Sequence, residues 1–588
     1  MSDDSAADAA TCAPAPARAI RVAAPLLAFI TYSFTAGASL AWLDAGELTA
    51  ASLNLGVAHP PGEPPPVLFA RLVAYLPLGD LAFRVALASA LAVAAAVALL
   101  ARATELGLAR VAPGLCPVSR AGLGAAAGLA FGWSWAAWFQ GVRAEVYGLE
   151  AALLLGVLVL LLDDADDGRR LRTAALLAGL AIATHSLVAL AFLAPCALGV
   201  LIARRPAPRR LATSLLLALL TFAAVVSYLP LRAARDPSPN WGDPDSPSRL
   251  AWVLQAKAFQ KSLHHDAPQA TSFGHELAQV TGALVEQAAP WGALAALVAL
   301  YLFARRRETR ALAIFGAVLL ACTALPPALV AFDPDNPDAY GYLMPAIATV
   351  VWLAVLAIGA LADLVRTAAP KLVPTAAVAI ALLYAGAQAA LHAPDASLRH
   401  GDRAERWARA LLDVPPRAVV VTSYFESAFL VLGLRAVEGA RPDVTHVDRA
   451  ALTQPGERDA ARRRDPELGP VLDAGLEVTH PWPLAALTTL AARRPVHVES
   501  FDDAPPELAL TPPTPWILSR VADALVPGRD ALGLRRLLLV AIYSRARSAC
   551  DGHLHAPADA SQPLLGALAL LAPDDPDAAA LRETCRSR

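Results

Sequence analysis

Asp44 and Glu47 stand three residues apart in the stretch DAGELTAASLNLGVAHPPG, which directly follows a long apolar run. On a helix that spacing puts both carboxylates on one face. A carboxylate at a membrane interface can accept the proton of an attacking hydroxyl, and a second one beside it can hold a metal or an acceptor. The pair therefore suits base-assisted group transfer. The plainer alternative is that the two acids mark the water-facing end of a transmembrane helix. His59 precedes Pro60-Pro61-Gly62, where it could meet a phosphate or a carboxylate, or serve only as part of a rigid turn.

Four further polar stretches interrupt apolar sequence. In WFQGVRAEVYGLE, Arg143 suits a lipid phosphate, and pairing with Glu145 is its alternative use; Tyr147 follows. His185 lies within IATHSLV, an ionisable side chain in an apolar surround, and so either functional or a cap on a helical hairpin. In YLPLRAARDPSPNWGDPDSP the prolines at 237, 239, 244 and 247 hold Arg232, Asn240, Trp241 and Asp243 in extended and turned backbone. Trp241 could stack on a sugar face or anchor at the membrane interface. DPDNPDAYGYLMP crowds Asp333, Asp335 and Asp338 before Tyr340. Their oxygens make a divalent metal the candidate cofactor, although no complete EF-hand pattern is present.

These residues need a membrane scaffold. The chain is 588 residues long, 56% hydrophobic and only 17% charged, more apolar than soluble proteins, whose apolar share is about 45–50%. A net charge of -2, with no basic stripe and no zinc-type cysteine spacing, excludes nucleic acid as a natural partner. At roughly 20 residues per crossing, we expect about eleven spans, near 22–43, 81–101, 121–140, 147–162, 172–187, 188–203, 211–231, 290–304, 311–332, 342–363 and 373–392. Arginines fill every second connection, among them Arg169, Arg170, Arg204, Arg205, Arg306 and Arg307. Positive loops stay cytoplasmic, so the polar stretches above face outward. VLFARLVAYLP is too short to cross and reads as an interfacial or re-entrant helix.

Three parts are expected: a cytoplasmic tail over 1–19, a multi-spanning helical domain over 20–393 and an extracytoplasmic α/β domain over 394–588. In the last, AVVVTS, DVTHV and PVHVES have strand character, with a helix over YFESAFLVLGLRAVEG and later helices near 531–546 and 563–571. An exported tail would let Cys550 and Cys585 pair. The lysine-poor, alanine- and leucine-rich composition suits a bacterium, hence its inner membrane.

The order DAGE…HPPG, AEVY, a hairpin histidine, LPLRAARDPSPNWGDP, NPDAYGYLMP and VVVTSYFESAFLVLGLRAVEGARPDV resembles the bacterial domain of unknown function 2723 family, related to eukaryotic transmembrane protein 260, a protein O-mannosyltransferase. The resemblance is densest over 20–240. It implies the C-type glycosyltransferase fold, a polyprenyl-phosphate sugar donor, and a first-loop acid near the reaction centre, which falls on Asp44 accompanied by Glu47. It also places His59, Glu145, Tyr147, Asn240, Trp241, Asp243, Asp338 and Tyr340 in family motifs, with Arg143 beside one. The expectation is an inverting transfer of a sugar, most simply mannose, to a protein or glycan hydroxyl, with Arg232 or Arg143 neutralising the leaving phosphate. A transporter or flippase of a lipid-linked sugar is the alternative, and a silent scaffold a third; the absence of visible repeats disfavours transport.

Overall fold

The protein is described here by a computed structural model. It describes residues 14–163, 168–260, 273–330, 332–334, 336–499, 518–525, 534–535, 537–539, 541–543, 546, 550, 561–573 and 575–586. Cys12, Asp335 and most of the helix expected over 531–546 lie outside them.

Fourteen helices concern the site and the bundle around it. They are α1 Pro14–Thr35, α2 Ala45–Asn54, α3 Pro64–Ala74, α4 Leu81–Val111, α5 Pro117–Gly132, α6 Trp135–Gly141, α7 Tyr147–Leu162, α8 Gly168–Thr184, α9 Ser186–Ala203, α10 Pro208–Val226, α11 Phe273–Arg305, α12 Arg310–Leu329, α13 Ala339–Val365 and α14 Leu372–Ala396. Among the described residues, eight helices are long and apolar enough to cross a membrane, and their outer faces show lipid-suited side chains such as Leu215, Leu219, Leu297 and Ile380. The chain is a multi-pass membrane protein.

Eight of the about eleven expected spans fall on these long apolar helices. The other three lie on shorter helices: α5 and α7 have 16 residues and α8 has 17, at or just under the lower end of the range for a crossing. The first segment also ends early, at Thr35 rather than Leu43. Leu40, Trp42 and Leu43 are apolar for another reason: they pack with Trp407, Leu430 and Leu434 of the C-terminal part.

The centre of the bundle is α13, apolar on all sides, and 94% of its most apolar window is buried. A helix without a polar face belongs inside a bundle. In α11 the backbone breaks at Ala289 (φ 57), just before Pro290, which cannot donate to the preceding turn. Tyr384 and Gln388 of α14 repair the break by donating to the carbonyls of Ala288 (2.7 Å) and Gln287 (2.8 Å).

Beyond α14 lies a parallel three-stranded sheet in the order β2-β1-β3, formed by β1 Val419–Thr422, β2 Thr445–Asp448 and β3 Val496–Val498. Strand β1, VVVT, is buried along its whole length, as a central parallel strand requires. The crossover helix α15, Phe425–Glu438, lies directly on α2. An added Cβ on Gly46 would stand 2.5 Å from the carbonyl oxygen of Phe429, and one on Gly433 would stand 2.9 Å from that of Gly46. Two glycines let the backbones of α2 and α15 touch. Cys550 and Cys585 form a disulfide.

Candidate active site

Asp44 is the N-cap of α2, yet its side chain makes no capping hydrogen bond. An aspartate in that position normally accepts from the first turn; here the carboxylate is left for other partners. Its Oδ2 lies 3.8 Å from Nε2 of His59, and its side chain remains 25% accessible. One turn on, Glu47 is fully buried. Its two oxygens accept from the His59 backbone N–H (3.1 Å) and meet the ring Nδ1 (3.0 Å). A third carboxylate, Glu63, stands 3.8 Å from Nε2 of the same ring. His59 is therefore gripped on Nδ1 by Glu47 and faced on Nε2 by Asp44 and Glu63.

The helix that carries the acids is held at its C-terminal end. Its C-terminal carbonyls receive two cations: Arg71 donates to Leu53 (2.8 Å), and Arg232 donates to Leu55 (2.6 Å) and Asn54 (3.0 Å). Arginines are favoured there by both the helix dipole and the orphan carbonyls. The loop after α2 is zipped to the long outer loop, since the Val57 N–H donates to Pro239 (2.9 Å) and the Trp241 N–H to Val57 (3.3 Å).

The electrostatics follow from crowding. Burial pushes the Asp44 carboxyl up to about 7; nearby His59 pulls it down, while Asp338 and Glu47 push it up further. Burial and the neighbouring acids likewise hold Glu63 up at about 8, against the pull of His59. Burial opposes charge on His59, but Glu63, Asp44 and Glu47 outweigh it and raise the imidazole well above its ordinary value. Three acids around one imidazolium leave an uncompensated carboxyl with an affinity for protons near neutrality.

A second charged cluster lies behind the first. Arg143 is stacked over the Phe139 ring at 4.6 Å and is paired with Glu145 (2.9 Å) and, in a very short contact, with Asp338. It also reaches Gln140 (3.2 Å), and its side chain is only 1% exposed. Arg143 makes the pairing with Glu145 that was the alternative to a lipid phosphate, and Asp338 joins it. Arg232 caps the C-terminal carbonyls of α2, neutral acceptors that leave its charge in place. Spacing offered Glu145 to Arg143 but could not show Asp338, nor the carbonyls that Arg232 meets.

The remaining expected residues divide in two. Trp241 comes to the site, with its ring edge-on to His59 at 6.2 Å and to Phe429 of α15 at 5.9 Å. Tyr147 and His185 pack against one another and against Tyr342, His185 to Tyr342 at 4.9 Å. Asn240 donates to Asp243 (3.1 Å), which pairs with Arg249 (2.5 Å), a closed turn outside the acid cluster. Tyr340 is buried against Trp135 at 5.0 Å. Among the described residues no group of three or more His, Cys, Asp or Glu is arranged to hold a metal; Asp335, one of the three acids of the expected metal stretch, lies outside them.

Sequence reasoning missed Glu63, Tyr342 and Phe429. Glu63 carried a signal, an acid inside the proline run HPPGEPPP and four residues after His59. Phe429, 385 positions beyond Asp44, stood inside the quoted stretch VVVTSYFESAFLVLGLRAVEGARPDV, but nothing in that stretch tied it to Asp44.

Comparison with known proteins adds one family. The model of the protein O-mannosyl-transferase TMEM260 N-terminal domain matches residues 44–208, a stretch beginning at Asp44 itself. No curated protein matches significantly over the sequence. Solved structures similar to this chain include ArnT from Cupriavidus metallidurans bound to undecaprenyl phosphate, at 15% identity and a TM-score of 0.48, covering 77% of this chain and 89% of that one. An oligosaccharyltransferase from Archaeoglobus fulgidus, in complex with zinc and sulfate, is 13% identical with a TM-score of 0.44, covering 73% of this chain and 62% of that one.

Proposed function

We propose that this protein is a membrane glycosyltransferase of the C-type fold that moves a sugar from a polyprenyl-phosphate carrier to an acceptor hydroxyl, with Asp44 as general base. The observation that carries the reading is the partly exposed Asp44, spared from capping its own helix and set beside a buried Glu47–His59 pair, at the start of the stretch matching the O-mannosyl-transferase family model. Mannose and a serine or threonine acceptor are the finer form of the same reading.

In this mechanism the Asp44 carboxylate takes the proton of the acceptor hydroxyl while its oxygen bonds to the anomeric carbon. The bond from that carbon to the phosphate oxygen breaks, the electron pair leaves with the polyprenyl phosphate, and the anomeric configuration inverts. The leaving group needs charge stabilisation more than covalent help. His59 is the cation beside Asp44: Glu47 fixes its Nδ1, so Nε2–H can donate to a phosphate oxygen. This moves His59 from a turn residue into the chemistry and makes Glu47 the residue that orients it. The arginine-rich connections belong at the cytoplasmic side and the acid cluster at the outer side, together with the sheet region, in keeping with the positive-inside rule.

Mass spectrometry of envelope proteins with and without the gene tests the reading. Loss of an O-linked hexose on deletion is expected. Accumulation of lipid-linked sugar with no glycan lost would favour the flippase alternative.

A further inference from the structure

At the end of the bundle opposite Asp44, α7, α9 and α12 do not close on one another. They leave a cavity of about 510 Å³, inside the range of about 300–1,000 Å³ that holds small ligands. Its walls are apolar, including Leu158, Ile202, Ile314 and Phe315, and its polar mouth carries Arg110, Arg204 and Glu308. Pro195 lines it from within α9, where a missing backbone N–H loosens local helix packing. None of these residues serves the chemistry proposed at Asp44.

The charge at the mouth selects the occupant. Arg204 donates to the carbonyls of Leu161 (2.7 Å) and Asp163 (2.6 Å), and Arg110 donates to that of Leu162. These are neutral acceptors at the C-terminus of α7, so the bonds fix the guanidinium of Arg204 without cancelling its charge. No carboxylate pairs with Arg204 among the described residues. A fixed cation above an apolar slot fits a ligand with a phosphate at one end and a hydrocarbon chain at the other, and basic pockets between helices at the cytoplasmic side bind anionic headgroups.

We infer that this cavity is a binding site for an anionic glycerophospholipid of the leaflet at the arginine-rich end, with the phosphate on Arg204 and one acyl chain between α9 and α12. The site is separate from the sugar-transfer reading and stands or falls without it.

The test is native mass spectrometry of the purified full chain, titrated with phosphatidylglycerol or with phosphatidylcholine. One phosphatidylglycerol should be retained in preference to phosphatidylcholine. Arg204→Gln should weaken its retention about fivefold, the value of one arginine at a headgroup, and Arg204→Lys should keep it. Because Arg204 also caps α7, a second variant covers a failure to fold. Gly199→Leu fills the slot beside Phe315, whose ring is 3.5 Å from an added Cβ, and should lower retention of both lipids. Equal retention of the two lipids, a preference untouched by Arg204→Gln, unchanged retention in Gly199→Leu, or stronger retention of a polyprenyl phosphate would each overturn the assignment.

Discussion

Two buried charge clusters stand side by side in this protein and are built on opposite terms. Around Arg143 one guanidinium is clamped between two carboxylates, with a ring beneath it and almost no accessible surface. Around His59 three carboxylates share one imidazole, and of the two that stand 3.8 Å from Nε2, Asp44 is the one that reaches solvent. A closed cluster holds elements together. An over-supplied, partly open one has a carboxyl whose proton is exchangeable near neutral pH, which is what a general base requires.

Mutations should separate the two. Asp44→Asn removes the base and should lower sugar transfer by about 10²–10⁴-fold while the thermal transition stays in place. Arg143→Ala should do the reverse: it strands Glu145 and Asp338, and breaking a buried pair costs about 3–5 kcal/mol, visible as a large drop in melting temperature. A variant Arg143→Ala that melts like the wild type but binds donor weakly would erase the distinction.

Glu47→Gln keeps a hydrogen bond to His59 but loses its charge, for an expected fall of about tenfold, since charge-assisted bonds are roughly twice as strong as neutral ones. The pH profile carries the sign. Transfer needs Asp44 deprotonated and His59 protonated, so the rate should rise with pH through about 7 and fall again on the alkaline side. Loss of a carboxylate partner lowers the His59 pKa, so Glu47→Gln should move the alkaline limb down by about one unit. An unmoved limb would remove His59 from the chemistry.

Gly433→Ala pushes a methyl group against the Gly46 carbonyl and Leu40, both 2.9 Å from the added carbon. Overpacking of this kind costs about 1–3 kcal/mol, and the displacement passes straight to α2. Transfer should fall several-fold, with kcat affected more than KM. The smallest effect on stability is assigned to Arg232→Ala: about 1 kcal/mol from a lost helix cap, read as a small drop in melting temperature.

The membrane helices were legible because a bilayer imposes length and apolarity locally, and β1 and β3 were legible from their valines, whereas β2, THVD, buries only Val447 and was readable only as part of DVTHV. Leu40 to Leu43 misled because burial in a protein core and burial in lipid select the same residues. The pairing of Asp44 with Glu47 on one helix face was open to spacing alone. What each side chain does was not. The Glu145 partner of Arg143 was readable from its neighbourhood, while Asp338 and the α2 carbonyls that Arg232 meets are brought in by distant chain. His59 read as a frame because Glu63 and Trp241 reach it only once the loops have folded.

The most direct measurement is transfer of labelled sugar from a polyprenyl-phosphate donor by the purified chain in lipid vesicles at pH 8, wild type beside Asp44→Asn at equal folded amounts. The wild type should label acceptor, and Asp44→Asn should fall by at least about a hundredfold. Equal labelling by the two proteins would contradict the central claim that Asp44 is the base.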